Sequence, residues 1–113
     1  MLIERFRFGE IVIGGETYRD DLIVLPDRVS PGWWREEGHL LQVEDLVEAL
    51  AMKPEALIVG TGTRQCLKVS SQLVKHTKEA GIELLAFDTR MACQTFNHLY
   101  GKRKVVAALQ LTC

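Results

Sequence analysis

The sequence predicts a three-layer α/β domain, with a mixed or largely parallel sheet between helices and a β-hairpin-rich N-terminal part. Three observations carry this expectation. After residue 43, short apolar runs alternate with amphipathic segments, the pattern of strands joined by helical crossovers. Before residue 31 the apolar residues recur with the spacing of strands. The length of 113 residues, with 47% hydrophobic and 26% charged residues, fits one hydrophobic core, so a single domain over 1–113 is expected.

In chain order, Arg5-Phe6-Arg7-Phe8 alternates, Ile11-Val12-Ile13 and Thr17-Tyr18 flank Gly14-Gly15, and Leu22-Ile23-Val24-Leu25 follows. Gly-Gly suits a two-residue hairpin turn because both positions can take positive φ. Pro26 and Pro31 then end regular pairing. Val43, Leu46, Val47 and Leu50 recur at i, i+3, i+4 and i+7, which predicts an amphipathic helix ending at Lys53-Pro54. Ala56-Leu57-Ile58-Val59 is continuously apolar, as a strand covered on both faces requires. Ser70 or Ser71 caps a second helix stopped by Gly81. Ile82 to Phe87 makes a strand, Asp88 or Thr89 caps a third helix burying Ala92, Phe96 and Leu99, and Val105 to Leu111 is the last strand. No repeat, linker or low-complexity stretch interrupts this order.

Fourteen basic and fifteen acidic residues leave a net charge of −1, which gives little long-range attraction for nucleic acid or an anionic membrane. No nucleic-acid or membrane partner is expected, and the basic run Lys102-Arg103-Lys104 reads as a solvated helix exit. Cys66, Cys93 and Cys113 are odd in number and widely spaced, unlike a disulfide framework or zinc site, so reduced thiols are expected. Charges at Glu4, Arg5, Arg7 and Glu10 break any secretory apolar core at the start, and no apolar run reaches the ~20 residues of a membrane span. A cytoplasmic protein is expected, with a previously removed transit peptide left open as an alternative.

In open α/β sheets ligands bind beyond the carboxyl ends of strands, and Gly60-Thr61-Gly62 and Asp88-Thr89 are two such ends. The amides around Gly60 and Gly62 could approach an anion, with Thr61, Thr63, Arg64, Thr89 and Asn97 adding donors. The stretch from Thr61 to Val69 is long for a strand-to-helix connection. The competing reading is a tight corner that packs closely and holds no ligand. Gln65 occupies the third-glycine position of GxGxxG and no GK[ST] follows, so neither nucleotide fingerprint is present.

Cys93 and Asn97 lie four apart on the third helix, near Tyr100. A nucleophilic Cys93 needs a base, and none of His39, His76 or His98 has a diagnostic spacing, so structural packing is favoured. Asp88 is favoured as a helix cap over a general base. Ser70 and Ser71 lack the GxSxG elbow, and no metal-ligand spacing occurs. No catalytic residue, metal or cofactor is assigned. The remaining unusual segment is Trp33-Trp34-Arg35: one tryptophan is expected to pack on the core, and Trp34 with Arg35 could anchor a protein partner or, as the competing reading, form a lid that closes the sheet edge.

Taken together, Trp34-Arg35 with Gly38-His39, Leu57 to Gly62, Leu67-Lys68-Val69, Ala80-Gly81-Ile82, Asp88-Thr89, Ala92 to Leu99 and the ending Val105 to Leu109 through Thr112-Cys113 resemble the Mth938-like domain family over nearly the whole chain. That family includes a mitochondrial complex I assembly factor and an adipogenesis-associated protein. The resemblance implies a three-layer α/β fold around a mixed sheet and no established catalytic activity. Some similar chains lack a cysteine at the position of Cys66 or Cys93 and an acid at Asp88, and Lys102 replaces an acidic residue common before Arg103. The favoured function is therefore a non-enzymatic interaction or assembly module. The alternative is a small-molecule or anion-binding domain at Gly60-Thr61-Gly62, whose enzymatic version would depend on Cys93.

Overall fold

A computed structural model describes residues 1–113. The apolar run anticipated as a doubly covered strand lies inside its main sheet, one place from the middle, which the last strand of the chain occupies. Strands β1 (Ile3–Arg7), β2 (Glu10–Ile13) and β3 (Glu16–Tyr18) form an antiparallel meander, followed by β4 (Leu22–Val24), β5 (Val29–Pro31) and the two-residue β6 (Leu40–Leu41). A 3-10 turn (Val43–Leu46) leads into α1 (Val47–Ala51). Then come β7 (Ala56–Gly60), β8 (Lys68–Val69), α2 (Ser71–Glu79), β9 (Glu83–Phe87), α3 (Thr89–Leu99) and β10 (Val105–Leu109).

The main sheet has the order β5-β4-β10-β7-β9. Its β10, β7 and β9 are mutually parallel, and β4 and β5 continue it antiparallel, so the sheet is mixed. All five residues of β7 and of β10 are buried. Their side chains alternate between two cores. Ala56, Ile58, Val105, Ala107 and Leu109 face Phe96 of α3 and the meander, whereas Leu57, Val59, Val106 and Ala108 face Leu46, Ala49 and Leu73 on the side of α1 and α2. Burial of each large aliphatic side chain stabilises the fold by about 1.5–3 kcal/mol. These are the three expected layers, with the meander sharing one outer layer with α3.

The expected caps form. Ser70 accepts a hydrogen bond from the Leu73 amide and Asp88 from the Met91 amide, both at 3.1 Å. Gly14 and Gly15 both have positive φ in the β2–β3 turn.

Two segments depart from expectation. The helix expected from Val43 to Lys53 begins as a 3-10 turn, whose three residues per turn bring Val43, Leu46 and Ala49 inward and leave Val47 exposed. The connection Thr61 to Val69 contains β8, which pairs in parallel with β6; two-residue strands carry no periodicity to announce them.

Candidate functional site

The carboxyl ends of β7, β9 and β10 meet at one rim, where the glycine corner closes on itself. The Thr61 amide and hydroxyl both donate to the Phe87 carbonyl, at 2.8 and 2.9 Å. The Gly62 amide donates to Thr89 Oγ1 at 2.9 Å, and that hydroxyl donates to the Gln110 carbonyl at 2.6 Å. The Thr63 amide donates to the Thr112 carbonyl, and the amides of Arg64 and Cys66 both donate to the Cys113 carbonyl. The long loop thus wraps the segment after β10.

Each glycine is required by close approach. A Cβ on Gly60 would lie 2.9 Å from both Leu109 Cδ2 and Thr89 Oγ1. At Gly62, with φ +98°, it would lie 2.0 Å from the Cys113 carbonyl carbon. The anion cradle envisaged from the sequence meets amides already donating within the chain, and Thr61 and Thr89 are buried. Only Thr63 and Arg64 of that group present exposed side chains. Asn97 is not joined to them: it lies eight residues beyond Thr89, about 12 Å along the helix. There it accepts from the Ile3 amide at 2.8 Å and donates to the Ile3 carbonyl at 2.7 Å, fastening β1 to α3.

Cys93 forms part of a depression of about 330 Å³ between β1 and α3, lined also by Ile3, Arg5, Phe6, Arg90 and Asn97. Burial is the main cause that pushes its thiol up to about 12; Asp88 adds to the rise and Arg90 opposes it. A thiol so held is protonated at neutral pH and is a poor nucleophile. None of the chain's His, Cys, Asp and Glu side chains gather in a group of three or more that could hold a metal ion.

The tryptophan loop is built differently. Trp33 turns inward against the α1/α2-side core, its indole N–H donating to the Asp45 carbonyl at 2.9 Å. Its own amide donates to the Asp21 carbonyl at 2.8 Å. Arg35 also turns inward. Its guanidinium stacks 4.6 Å from the Trp33 ring centre and pairs with Asp21 at 3.1 Å, with a side chain only 7% exposed. The Nε and Nη1 groups find no acceptor, so Asp21, the Gly38 carbonyl at 3.3 Å from Nη2 and the ring face carry the compensation for this buried charge. Arg35 therefore supports the loop from inside; it is Trp33, not Trp34, that it touches.

Asp45 completes the frame, its two carboxylate oxygens accepting from the Glu36 and Gln42 amides at 3.1 and 2.9 Å. With residues 33, 35 and 36 all pinned, Trp34 is left 73% exposed. It borders a second depression of about 330 Å³ with Glu36, Gln42, Glu44 and Asp45. Sequence reasoning misses Asp21 and Asp45 as site residues. The Gln42-x-x-Asp45 spacing before the helical segment is the one signal for Asp45, whereas Asp21 works through tertiary contacts that leave no local pattern.

A family model described as a protein of unknown function (DUF498/DUF598) matches residues 3–110. The NADH dehydrogenase [ubiquinone] 1 alpha subcomplex assembly factor 3 of Xenopus tropicalis is 28% identical over 111 residues, 96% of this chain and 59% of that protein. Its Homo sapiens counterpart is 30% identical over 111 residues, with the same coverage of 96% and 59%. The chain thus spans less than two thirds of these curated relatives. Among solved structures, the conserved hypothetical protein PH1505 of Pyrococcus horikoshii OT3 superposes with a TM-score of 0.91 at 27% identity, covering 100% of both chains. A Mth938-like domain protein of Bordetella pertussis superposes with a TM-score of 0.65 at 20% identity, covering 97% of this chain and 85% of that one; at that identity it speaks for the fold alone. The fold is the Mth938-like one.

Proposed function

The chain belongs to the family of proteins of unknown function DUF498/DUF598, and from that premise we propose that it is a non-enzymatic protein-interaction or assembly module whose contact surface centres on Trp34. The observation that carries this reading is the exposed indole held between pinned neighbours. An aromatic anchor whose backbone is fixed before contact loses less entropy on binding, and tryptophan is enriched among interface residues that dominate affinity. The name of the relatives, an assembly factor for NADH dehydrogenase, supports the same class of role. Three cysteines without disulfides support a reducing, cytoplasmic compartment as part of the proposal.

Affinity capture from the native cell tests it. The Trp34→Ala variant is expected to lose a co-purifying partner by about 30-fold or more in affinity, the effect of a 2 kcal/mol anchor. Recovery equal to that of the unchanged protein would remove this face from the function.

A second reading, binding of a small organic anion, is favoured at the depression between β1 and α3. Arg5 and Arg90 border it and neither enters an ion pair of the chain, so two free cations face the single acid of the lining, Glu4. Thr63 and Arg64 remain proposed only as exposed side chains of the glycine loop. A thermal-shift screen of carboxylates and phosphates separates these places: Arg5→Ala with Arg90→Ala abolishes a shift arising at the first, and Arg64→Ala one arising at the second.

A further inference from the structure

The surface around Trp34 has a chemical bias that narrows the kind of partner it fits. Five residues border the depression there: Trp34, Glu36, Gln42, Glu44 and Asp45. Three are acids and none is basic. Asp45 has both oxygens engaged by the Glu36 and Gln42 amides, so it fixes the shape of the depression. Glu36 and Glu44 are exposed and enter no ion pair or side-chain hydrogen bond of the chain. Arg35, the nearest cation in sequence, points inward, where Asp21 compensates it. The side chains beside the indole are consequently acidic, with no basic side chain among them.

An indole face beside free carboxylates is the chemistry that receives a guanidinium or ammonium group. The ring quadrupole attracts the cation over its face, and a carboxylate at the rim accepts its N–H groups. An apolar partner segment would instead have to bring Glu36 and Glu44 against hydrocarbon and strip their water without repayment. We propose that Trp34, Glu36 and Glu44 dock an arginine- or lysine-bearing segment of a partner protein, with one basic side chain laid over the Trp34 ring. This inference rests on the reading of Trp34 as the assembly contact and specifies what that contact recognises.

The test uses the whole chain, isotope-labelled, and a short acetylated peptide containing alternating glycine and arginine, beside the same peptide with citrulline in place of arginine. Of the two indole N–H resonances, that of Trp34 is expected to shift saturably with the arginine peptide while that of Trp33 stays put. Citrulline, equal in shape and without charge, is expected to bind about tenfold or more weakly. Glu36→Gln with Glu44→Gln is expected to weaken the arginine peptide by a similar factor, and raising salt from about 0.05 to 0.3 M to weaken it further. The amide variants leave the Glu36 backbone donor to Asp45 intact, and an unchanged spectrum elsewhere verifies the fold.

No Trp34 shift, equal binding of the citrulline peptide, or indifference to the two glutamine substitutions overturns cation recognition. Concentration-dependent self-association lost in Trp34→Ala would also overturn it, by making a second copy of this chain the occupant. The parent reading fails separately. If Trp34→Ala abolishes partner recovery while Glu36→Gln with Glu44→Gln leaves it whole, the assembly contact stands and its cationic preference falls; if Trp34→Ala leaves recovery whole, the contact itself falls.

Discussion

The glycine corner and the tryptophan loop occupy the same end of the main sheet and are tied to the same stretch of chain after β10. Leu111 donates its amide to Asp21 beneath the tryptophan loop at 2.8 Å, while Thr112 and Cys113 accept from the glycine loop. At the corner the polar groups turn inward and are consumed; at the loop they turn inward so that one apolar side chain can stay outside. Glycine at a strand end signals only that something comes close. Whether that something is a ligand or the chain itself is decided by where the amides donate, and here they donate to residues 87, 89, 112 and 113.

The sharpest way to break this comparison is Gly62→Ala. A methyl group there meets the Cys113 backbone at 2.0 Å and needs a positive φ, so the segment after β10 must move. The expected cost is about 3–5 kcal/mol, among the largest single-residue effects, read as a fall of more than about 10 °C in melting temperature. Gly15→Ala is the control: its φ is also positive, but no atom lies within 4 Å, and the expected cost is about 1 kcal/mol. Equal losses in the two variants would mean that close packing is not what the corner requires.

The tryptophan loop yields to Arg35→Ala. The substitution removes the cation stacked on Trp33 and leaves Asp21 with only the Leu111 amide. Loss of about 2–4 kcal/mol is expected, a little below the ~3–5 kcal/mol of a fully buried pair because Asp21 keeps 22% of its side chain exposed. Arg35→Lys should recover only part of it, because an ammonium cannot lie flat on the ring. Chemical denaturation of both variants checks the order.

Cys93 provides a reference buried by packing alone. In a variant keeping only this cysteine, alkylation near pH 8 is expected to be about a thousandfold slower than for an ordinary thiol, following a rise from 9.0 to about 12. The same shift fixes a sign. Below about pH 9 the thiol is protonated in folded and unfolded chains alike, and stability through this group is constant. Between about 9 and 12 the unfolded chain loses the proton that the folded chain keeps, so stability falls as pH rises, by about 1.4 kcal/mol per unit. Denaturation of Cys93→Ala beside the unchanged chain isolates that slope; identical curves would show the thiol to be solvated.

Most of the architecture is legible in the sequence. Continuous apolar runs announce β7 and β10, and Ser70 and Asp88 announce the starts of α2 and α3, because burial on two faces and amide capping leave local signatures. The α1 segment misleads because the same apolar spacing serves a 3-10 start with a different buried face. At the candidate site, local pattern reaches the residues but not their direction. Trp33 and Trp34 are indistinguishable in composition, and only Asp21 and Asp45, whose carbonyls accept from Trp33 across 12 residues on either side, determine which ring goes inside. Adjacency makes Arg35 the companion of Trp34 in the sequence, whereas its ion pair with Asp21 turns it toward Trp33.

That division between neighbours gives the smallest expected stability effect. Trp34→Ala should change folding stability by no more than about 0.5 kcal/mol, as for an exposed side chain with no structural bond. Trp33→Ala removes the indole bond to the Asp45 carbonyl and the surface on which Arg35 stacks, and should cost about 3 kcal/mol or more. Measured side by side, the pair asks whether the frame exists to hold the outer ring out. If the two substitutions destabilise equally, Trp34 is packed in solution and is no anchor. A large stability loss at Trp33 with none at Trp34, joined to partner loss at Trp34, means that the inner ring, Arg35, Asp21 and Asp45 act as the mount and the outer ring as the contact.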